Sequence, residues 1–235
     1  MKKLSEVYRD VALSTLKGAG LVTDDRLGIE PRGKPEVLAS INEGLTRLHS
    51  RFPLKTNNCI VEMKEGRTDY PLQSRFSYTK WKPSLAVPYP FIMDSEEKPF
   101  MDDVIKVLNV FDNSGVRRRL NDDTDPNAIF TPRPDTIQVI RPKHFEAVNV
   151  LYQAKHVEMT GDEEQEVDLP DTLMTALWNW VGYRYHTGLN TPDSSAKAAE
   201  FLQIYESICG EVTEYDLANS SISITETKFE QRGWR

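Results

Sequence analysis

Apolar positions recur at helical spacing near the two ends of the chain and at strand spacing between them. Leu4, Val7, Tyr8, Val11 and Leu16 fall three or four residues apart, forming one stripe of a helix that Gly18 and Gly20 close. Gly28, Pro31, Gly33 and Pro35 make residues 21–35 a loop. A second helix follows, with Pro35 in its first turn, where a missing N–H is harmless. Its seam is Leu38, Ile41, Leu45, Leu48 and Phe52, and Pro53 stops it. Later, Asp168 is the expected cap of a helix opened by Leu169-Pro170-Asp171. Leu173, Leu177, Trp178, Val181 and Tyr185 share its face, and Gly188 ends it. Thr191-Pro192 opens a last helix with the stripe Ala198, Phe201, Leu202, Tyr205, Ile208 and Val212. The short link makes these two helices an antiparallel pair.

Between the helices the texture is that of strands. Residues 58–63 form a β-rich run, and a turn at Glu65-Gly66 with a return over 67–72 predicts a hairpin. Residues 73–100 carry Pro83, Pro88, Pro90 and Pro99 among Phe76, Tyr78, Trp81, Tyr89, Phe91 and Phe100. That is too much proline for a central sheet and too much aromatic surface for a linker, so an extended, packed loop is expected. Residues 104–111, a turn at Asp112–Gly115 and residues 116–120 predict a second hairpin. Residues 136–140 and 146–154 are further strands, and the acidic run Glu158–Asp168 ends the β region. The expected fold class is therefore α+β. A helical domain of antiparallel helices is drawn from both ends of the chain, residues 1–53 and 169–215. A small antiparallel β domain, 54–168, is inserted into it, and an extended C-terminal arm, 216–235, follows.

Composition narrows the functional classes. The 235 residues are 39% hydrophobic, enough for a packed core. No run of 18 apolar residues occurs, so no membrane span is expected, and Met1-Lys2-Lys3-Leu4-Ser5-Glu6 lacks the apolar core of a signal peptide. Two cysteines, Cys59 and Cys209, make no disulfide framework and suit a reducing compartment. A net charge of −7 argues against a surface built to grip nucleic acid.

Searches for catalytic patterns return little. Gly28 to Lys34 has the spacing of a phosphate-binding loop, but Pro35 stands where a Ser or Thr must hold magnesium, and Glu30 would repel phosphate. The segment reads as a Gly/Pro turn. His49, His144, His156 and His186 lack metal-ligand spacing, and neither cysteine has a C-x-x-C partner. Carboxylates abound in Glu158–Asp168, so a glycosidase pair is the enzymatic alternative, although such a pair needs one carboxyl in an apolar pocket and this run looks solvated. No catalytic, cofactor-binding or metal residue is assigned. Arg117-Arg118-Arg119 follows a hairpin turn with Asp122, Asp123 and Asp125 close behind. It is read as an ion-paired turn or an intersubunit contact, with a DNA-binding assembly factor as the alternative. Trp178 fits the core, whereas Trp180 and Tyr183 serve either an interface between subunits or a wide buried helix surface.

The arm is the segment hardest to explain in an isolated monomer. Ile222 and Ile224 alternate as on a strand, and Phe229, Arg232 and Trp234 follow as bulky anchors. A disordered tail normally lacks such residues; a segment of this kind either adds a strand to a partner's sheet edge or folds back on the chain's own β insertion.

The layout then resembles a known family. A helix containing Ile41-Asn42-Glu43-Gly44-Leu45-Thr46-Arg47-Leu48 precedes Gly66-Arg67-Thr68-Asp69-Tyr70-Pro71-Leu72. Later come Ile137-Gln138-Val139-Ile140-Arg141-Pro142, Val150-Leu151-Tyr152-Gln153-Ala154, and Asp168-Leu169-Pro170 at the start of the terminal helix pair. In this order the motifs resemble the head-to-tail adaptor (connector) proteins of short-tailed bacteriophages, over roughly residues 36–212. The resemblance implies a non-enzymatic structural protein without cofactor or metal, made in the host cytoplasm and placed at the virion neck. It implies a homo-oligomeric ring, usually of twelve copies, beneath the portal ring and above other tail components, continuing the DNA channel without binding DNA specifically. It also implies that Ile222, Ile224, Phe229, Arg232 and Trp234 dock on the portal. Twelve copies would carry about −84 charges, which suits a conduit that must not retain DNA.

Overall fold

In a computed structural model, residues 1–79, 90–94, 99–142, 146–215 and 217 are described. The fold is mixed α+β and divides into two units: Met1–Leu54 together with the chain from Glu158 onward, and Lys55–Val157. The expected insertion, 54–168, therefore ends about ten residues early. The acidic run belongs to the helical unit because its backbone is tied there: Leu4 N–H donates to the Gln165 carbonyl at 2.9 Å and Ser5 N–H to that of Glu163 at 3.1 Å.

The helical unit begins with β1 (Lys2–Lys3), which runs into α1 (Leu4–Leu13); α2 (Lys34–Arg51) follows the loop. After the inserted unit come α3 (Asp171–Gly188) and α4 (Pro192–Glu214). A short strand in the acidic run, Glu166–Val167, pairs antiparallel with β1. The stripes form the core: Leu4, Val7 and Val11 of α1, Ile41, Leu45 and Leu48 of α2, and Leu173, Leu177 and Val181 of α3 are all buried. His186 stacks on Phe201 and Trp180 packs on Tyr205, so positions descending along α3 meet positions ascending along α4, and the two run antiparallel. Thr191 caps α4, its hydroxyl accepting from Ser194 N–H at 3.3 Å. Asp168 caps nothing: α3 starts at Asp171 with Pro170 at the cap position and no side-chain cap bond, which leaves Asp168 two residues outside the cap.

The inserted unit has two sheets. In chain order its strands are β2 (Thr56–Glu62), β3 (Asp69–Pro71), β4 (Ser77–Thr79), β5 (Ile92–Asp94), β6 (Val104–Asp112), β7 (Arg117–Arg118), β8 (Ile129–Arg133), β9 (Thr136–Val139) and β10 (Ala147–Ala154); the strand Glu166–Val167 of the helical unit is β11. One sheet has the order β4-β5-β2-β10-β6-β7 and the other β3-β9-β8. Their inner faces share a core of Val61, Tyr70, Leu72, Phe91, Ile92, Val110, Ile137 and Val150.

Three expectations for this unit need correction. Residues 58–63 and 67–72 do not form a hairpin: β2 pairs with β10 and β5, and β3 pairs with β9 in the other sheet. Tyr70 directs this. Its buried hydroxyl accepts from Lys64 N–H at 3.0 Å and donates to the Arg67 carbonyl at 2.8 Å, bracing the connection that carries the chain to the second sheet. The link after residue 120 also hides a strand, β8, which pairs with β9. The hairpin at Asp112–Gly115 is present, with Asp112 Oδ1 accepting from Ser114 and Val116 N–H. The 73–100 segment is not simply an extended loop, nor is the unit wholly antiparallel: Ser74–Phe76 is a 3-10 turn, and β4 and β5 join the larger sheet as parallel neighbours; Trp81 and Tyr89 lie outside the described residues.

Candidate partner-binding surfaces

The three arginines of the basic run occupy three different environments. β7 alternates its side chains about the sheet, so Arg117 is exposed while Arg118 turns inward. Arg118 donates to Glu146 at 2.9 Å and lies 3.5 Å from Asp112, joining the start of β10 to the end of β6. Arg119 is exposed and pairs with Asp122 at 3.0 Å. The Thr124 hydroxyl and N–H and the Arg119 guanidinium hold the Asp122 carboxyl down to about 2. The run is thus an ion-paired turn with one arginine, Arg117, in no ion pair among the described residues. A continuous cationic face of the sort that grips phosphates is not what these three positions make.

Beside Arg118 lies a cavity of about 290 Å³ lined by Met63, Ile129, Val139, Arg141, Glu146 and Val148. Two of its charged groups, Arg118 and Glu146, are paired with each other.

Of the two readings of Trp180, the wide buried helix surface is what the structure has, and the intersubunit contact is the one to correct. Trp180 is 2% exposed, sandwiched within the helical unit rather than presented to another subunit. The Arg47 guanidinium lies 4.2 Å over its ring, and the Tyr183 and Tyr205 rings stand 5.1 and 5.4 Å away. Its neighbour across the helix pair is Gly44 of α2, where an added Cβ would sit 2.8 Å from Trp180 Cδ1 and 2.6 Å from Leu177 Cδ1. The reason is α3's position: it packs against α1, α2 and α4, so it buries a wide arc from Leu173 through Gly182 rather than one stripe. Trp178, the expected core residue, is only partly buried, with Lys2 Nζ 4.9 Å above its ring.

Two carboxylates of the acidic run are held by cations. Glu164 accepts from Lys3 at 2.6 Å and Glu163 from Lys34, and both side chains are at least half exposed. A more enclosed carboxylate is Asp103 in the inserted unit. It accepts from the Tyr152 hydroxyl at 2.9 Å and from Asn57 at 2.8 Å, with Lys55 at 3.9 Å. Burial and the adjacent Asp103 carboxylate raise the Tyr152 hydroxyl far above its ordinary value, so it stays a neutral donor. Sequence reasoning missed this cluster, whose partners lie more than forty positions apart. Cys59 is likewise unsuited to nucleophilic work: burial, with smaller contributions from Asp103 and Asp94, pushes its thiol up to about 12. Among the described residues no group of three or more His, Cys, Asp or Glu could hold a metal ion, and no helix is long and apolar enough to cross a membrane.

A second feature went unread in the sequence. Between β6 and β8 runs a groove of about 640 Å³ lined by Ile105, Lys106, Val107, Leu108, Leu120 and the stretch Thr131–Pro134. The signal available was Pro132 and Pro134, which mark this segment as one that cannot be the interior of a sheet. The arm residues Ile222, Ile224, Phe229, Arg232 and Trp234 lie outside the described residues. No protein-family model and no curated protein matches the chain.

Proposed function

We propose that the chain is a structural ring adaptor that joins a phage portal to its tail and continues the DNA channel. The observation that carries the reading is the division of the chain: both ends build one helical unit, and a two-sheet β unit is inserted at Lys55–Val157. This is the arrangement implied by the connector resemblance, whose motifs occur in the same order. In this reading the helical unit forms the ring body, portal and tail components are the partners, and the arm with Phe229 and Trp234 docks on the portal. The net charge of −7 per copy supports a conduit rather than a DNA-gripping surface.

Negative-stain imaging of the full chain mixed with its portal tests this. Rings of about twelve copies seated beneath the portal are expected. Particles that stay monomeric and fail to co-sediment with the portal overturn it. Changing Phe229 and Trp234 together to Ala should abolish docking, because burying each ring contributes about 2 kcal/mol before ordering is subtracted. Undiminished docking by that variant moves the portal contact elsewhere. An enzymatic reading, the glycosidase alternative, requires peptidoglycan cleavage on a zymogram that disappears with one carboxylate substitution.

A further inference from the structure

We propose that the free edge of β6 is a strand-addition site whose occupant is the segment Ser220–Thr227 of a neighbouring copy of this chain. The proposal rests on the ring reading for the source of the strand and on the geometry of the inserted unit for the site.

β6 spans nine residues, Val104–Asp112, and β10 covers one of its edges along that length. On the other edge β7 pairs only with Val110 and Phe111. Beyond Arg118 the chain leaves β6 and crosses to β8, where Leu120 bridges Ile129 and Asn121 N–H donates to the Ile129 carbonyl at 3.0 Å. The β6 edge from Val104 to Asn109 therefore has no strand partner among the described residues. Unpaired strand edges are templates for another strand, and proteins ordinarily cover or blunt them. Here the opposite wall cannot do so. The β8 donors on that side, Ile129 and Thr131 N–H, are already taken by the Arg119 carbonyl at 2.9 Å and Asn121 Oδ1 at 2.8 Å. The two sheet edges stand apart, and the groove of about 640 Å³ lies between them.

The arm supplies a segment with matching properties. Ser220-Ser221-Ile222-Ser223-Ile224-Thr225-Glu226-Thr227 alternates with period two and is rich in β-branched residues, and its length covers the free run of β6. On β6, Val107 is buried and Lys106 exposed. A strand laid along this edge with Ile222 and Ile224 on the Val107 face brings them over Leu120, and leaves Ser221, Ser223 and Thr225 on the wet face with Lys106. The cations of the groove are Lys106 and Arg133, no acidic residue lines it, and the acid of the segment is Glu226. In a ring each copy presents one edge and one arm, so a head-to-tail exchange of strands closes without remainder. This takes Ile222 and Ile224 out of the portal contact that the resemblance implies and leaves the aromatic half of the arm, Phe229 and Trp234, for the portal.

Disulfide trapping between full-length chains tests this. One chain carries Lys106→Cys, and a second carries Ser221→Cys, Ser223→Cys or Thr225→Cys to sample the same-face registers. The natural thiols Cys59 and Cys209 are buried and remain silent. Mixing the purified variants under mild oxidation should give a Lys106→Cys/Ser223→Cys or adjacent-register heterodisulfide. Adding Ile222→Pro and Ile224→Pro to the arm should reduce it to background, because proline cannot donate to the ladder. Rings without any heterodisulfide overturn the strand addition and leave the ring reading intact. Monomers without it overturn both. A chain with Lys106→Cys and Ser223→Cys together that cross-links within itself at high dilution overturns the assignment to a neighbouring copy.

Discussion

The helical unit and the inserted β unit solve the same burial problem by different means. In the helical unit the limiting contact is backbone approach: Gly44 lets α2 come so close to α3 that no Cβ fits beside Leu177 and Trp180. Gly182 does the same on the other side of α3, where a Cβ would lie 2.8 Å from Thr15 Cβ and 3.2 Å from the Phe201 ring. In the β unit the backbones are already spaced by their ladders, and the distinctive contacts are polar closures between residues distant in sequence. Asp103 gathers Tyr152 and Asn57, and Arg118 ties β6 to the start of β10. The first unit should therefore be sensitive to volume and the second to the loss of single polar partners.

The sharpest way to break this comparison is Trp180→Ala. Removing a fully buried indole from between Arg47, Tyr183 and Tyr205 should cost about 4 kcal/mol, read as a shift in the midpoint of urea unfolding followed by helical circular dichroism. A shift below ~1 kcal/mol would show that α3 is not the keystone of its unit. Gly44→Val should come next, at about 2 kcal/mol, because added methyl groups have no room against Leu177 and Trp180. It gains some helix propensity over Gly, so a stabilised variant would mean that α2 and α3 separate easily and that the close approach is incidental.

What could be read from the sequence follows the same division. The helices were legible because their signal is local: Ile41, Leu45 and Leu48 announce one face within two turns, and Thr191-Pro192 announces a start. The choice between Trp178 and Trp180 was not, since it depends on which side of α3 meets Gly44, a residue more than 130 positions away. In the β unit strand existence was legible for β2, β6, β9 and β10, whereas pairing was not. The nearest partner in sequence for residues 58–63 was the wrong one, since β2 pairs with β10, beginning some 85 residues later, and Tyr70 carries β3 into the other sheet. β8 was hidden because Pro132 and Arg133 make its second half resemble a polar link. The candidate site was half legible: the arginine run was visible, but the pairing of Arg118 with Glu146, 28 residues on, was not.

Polar closures in the β unit should give smaller and more specific effects. Asp103→Ala strips the Tyr152 hydroxyl and the Asn57 amide of their shared acceptor, and Tyr152 is 2% exposed, so water replaces the bond poorly. A loss of about 2 kcal/mol is expected, measured as faster amide exchange along β10 and a lower unfolding midpoint. Asp103→Asn keeps an acceptor oxygen and should recover part of that loss. Equal losses in the two variants would mean that the negative charge, facing Lys55, matters more than the hydrogen bonds.

Arg119→Ala should have the smallest effect of all. Its side chain is 70% exposed, and its partner Asp122 is already satisfied by the Thr124 N–H at 2.9 Å and by the Thr124 hydroxyl. Exposed pairs gain little Coulomb energy in water and give up side-chain freedom to form. No resolvable change in unfolding midpoint is expected, at low salt or high. Arg118→Ala, made in parallel, should be clearly destabilising, because Glu146 and Asp112 lose a half-buried common partner and are left as neighbouring like charges at the seam of β6 and β10. If instead Arg119→Ala is the more damaging of the two, the turn is held from its exposed side, and the inward arginine is not what joins these strands.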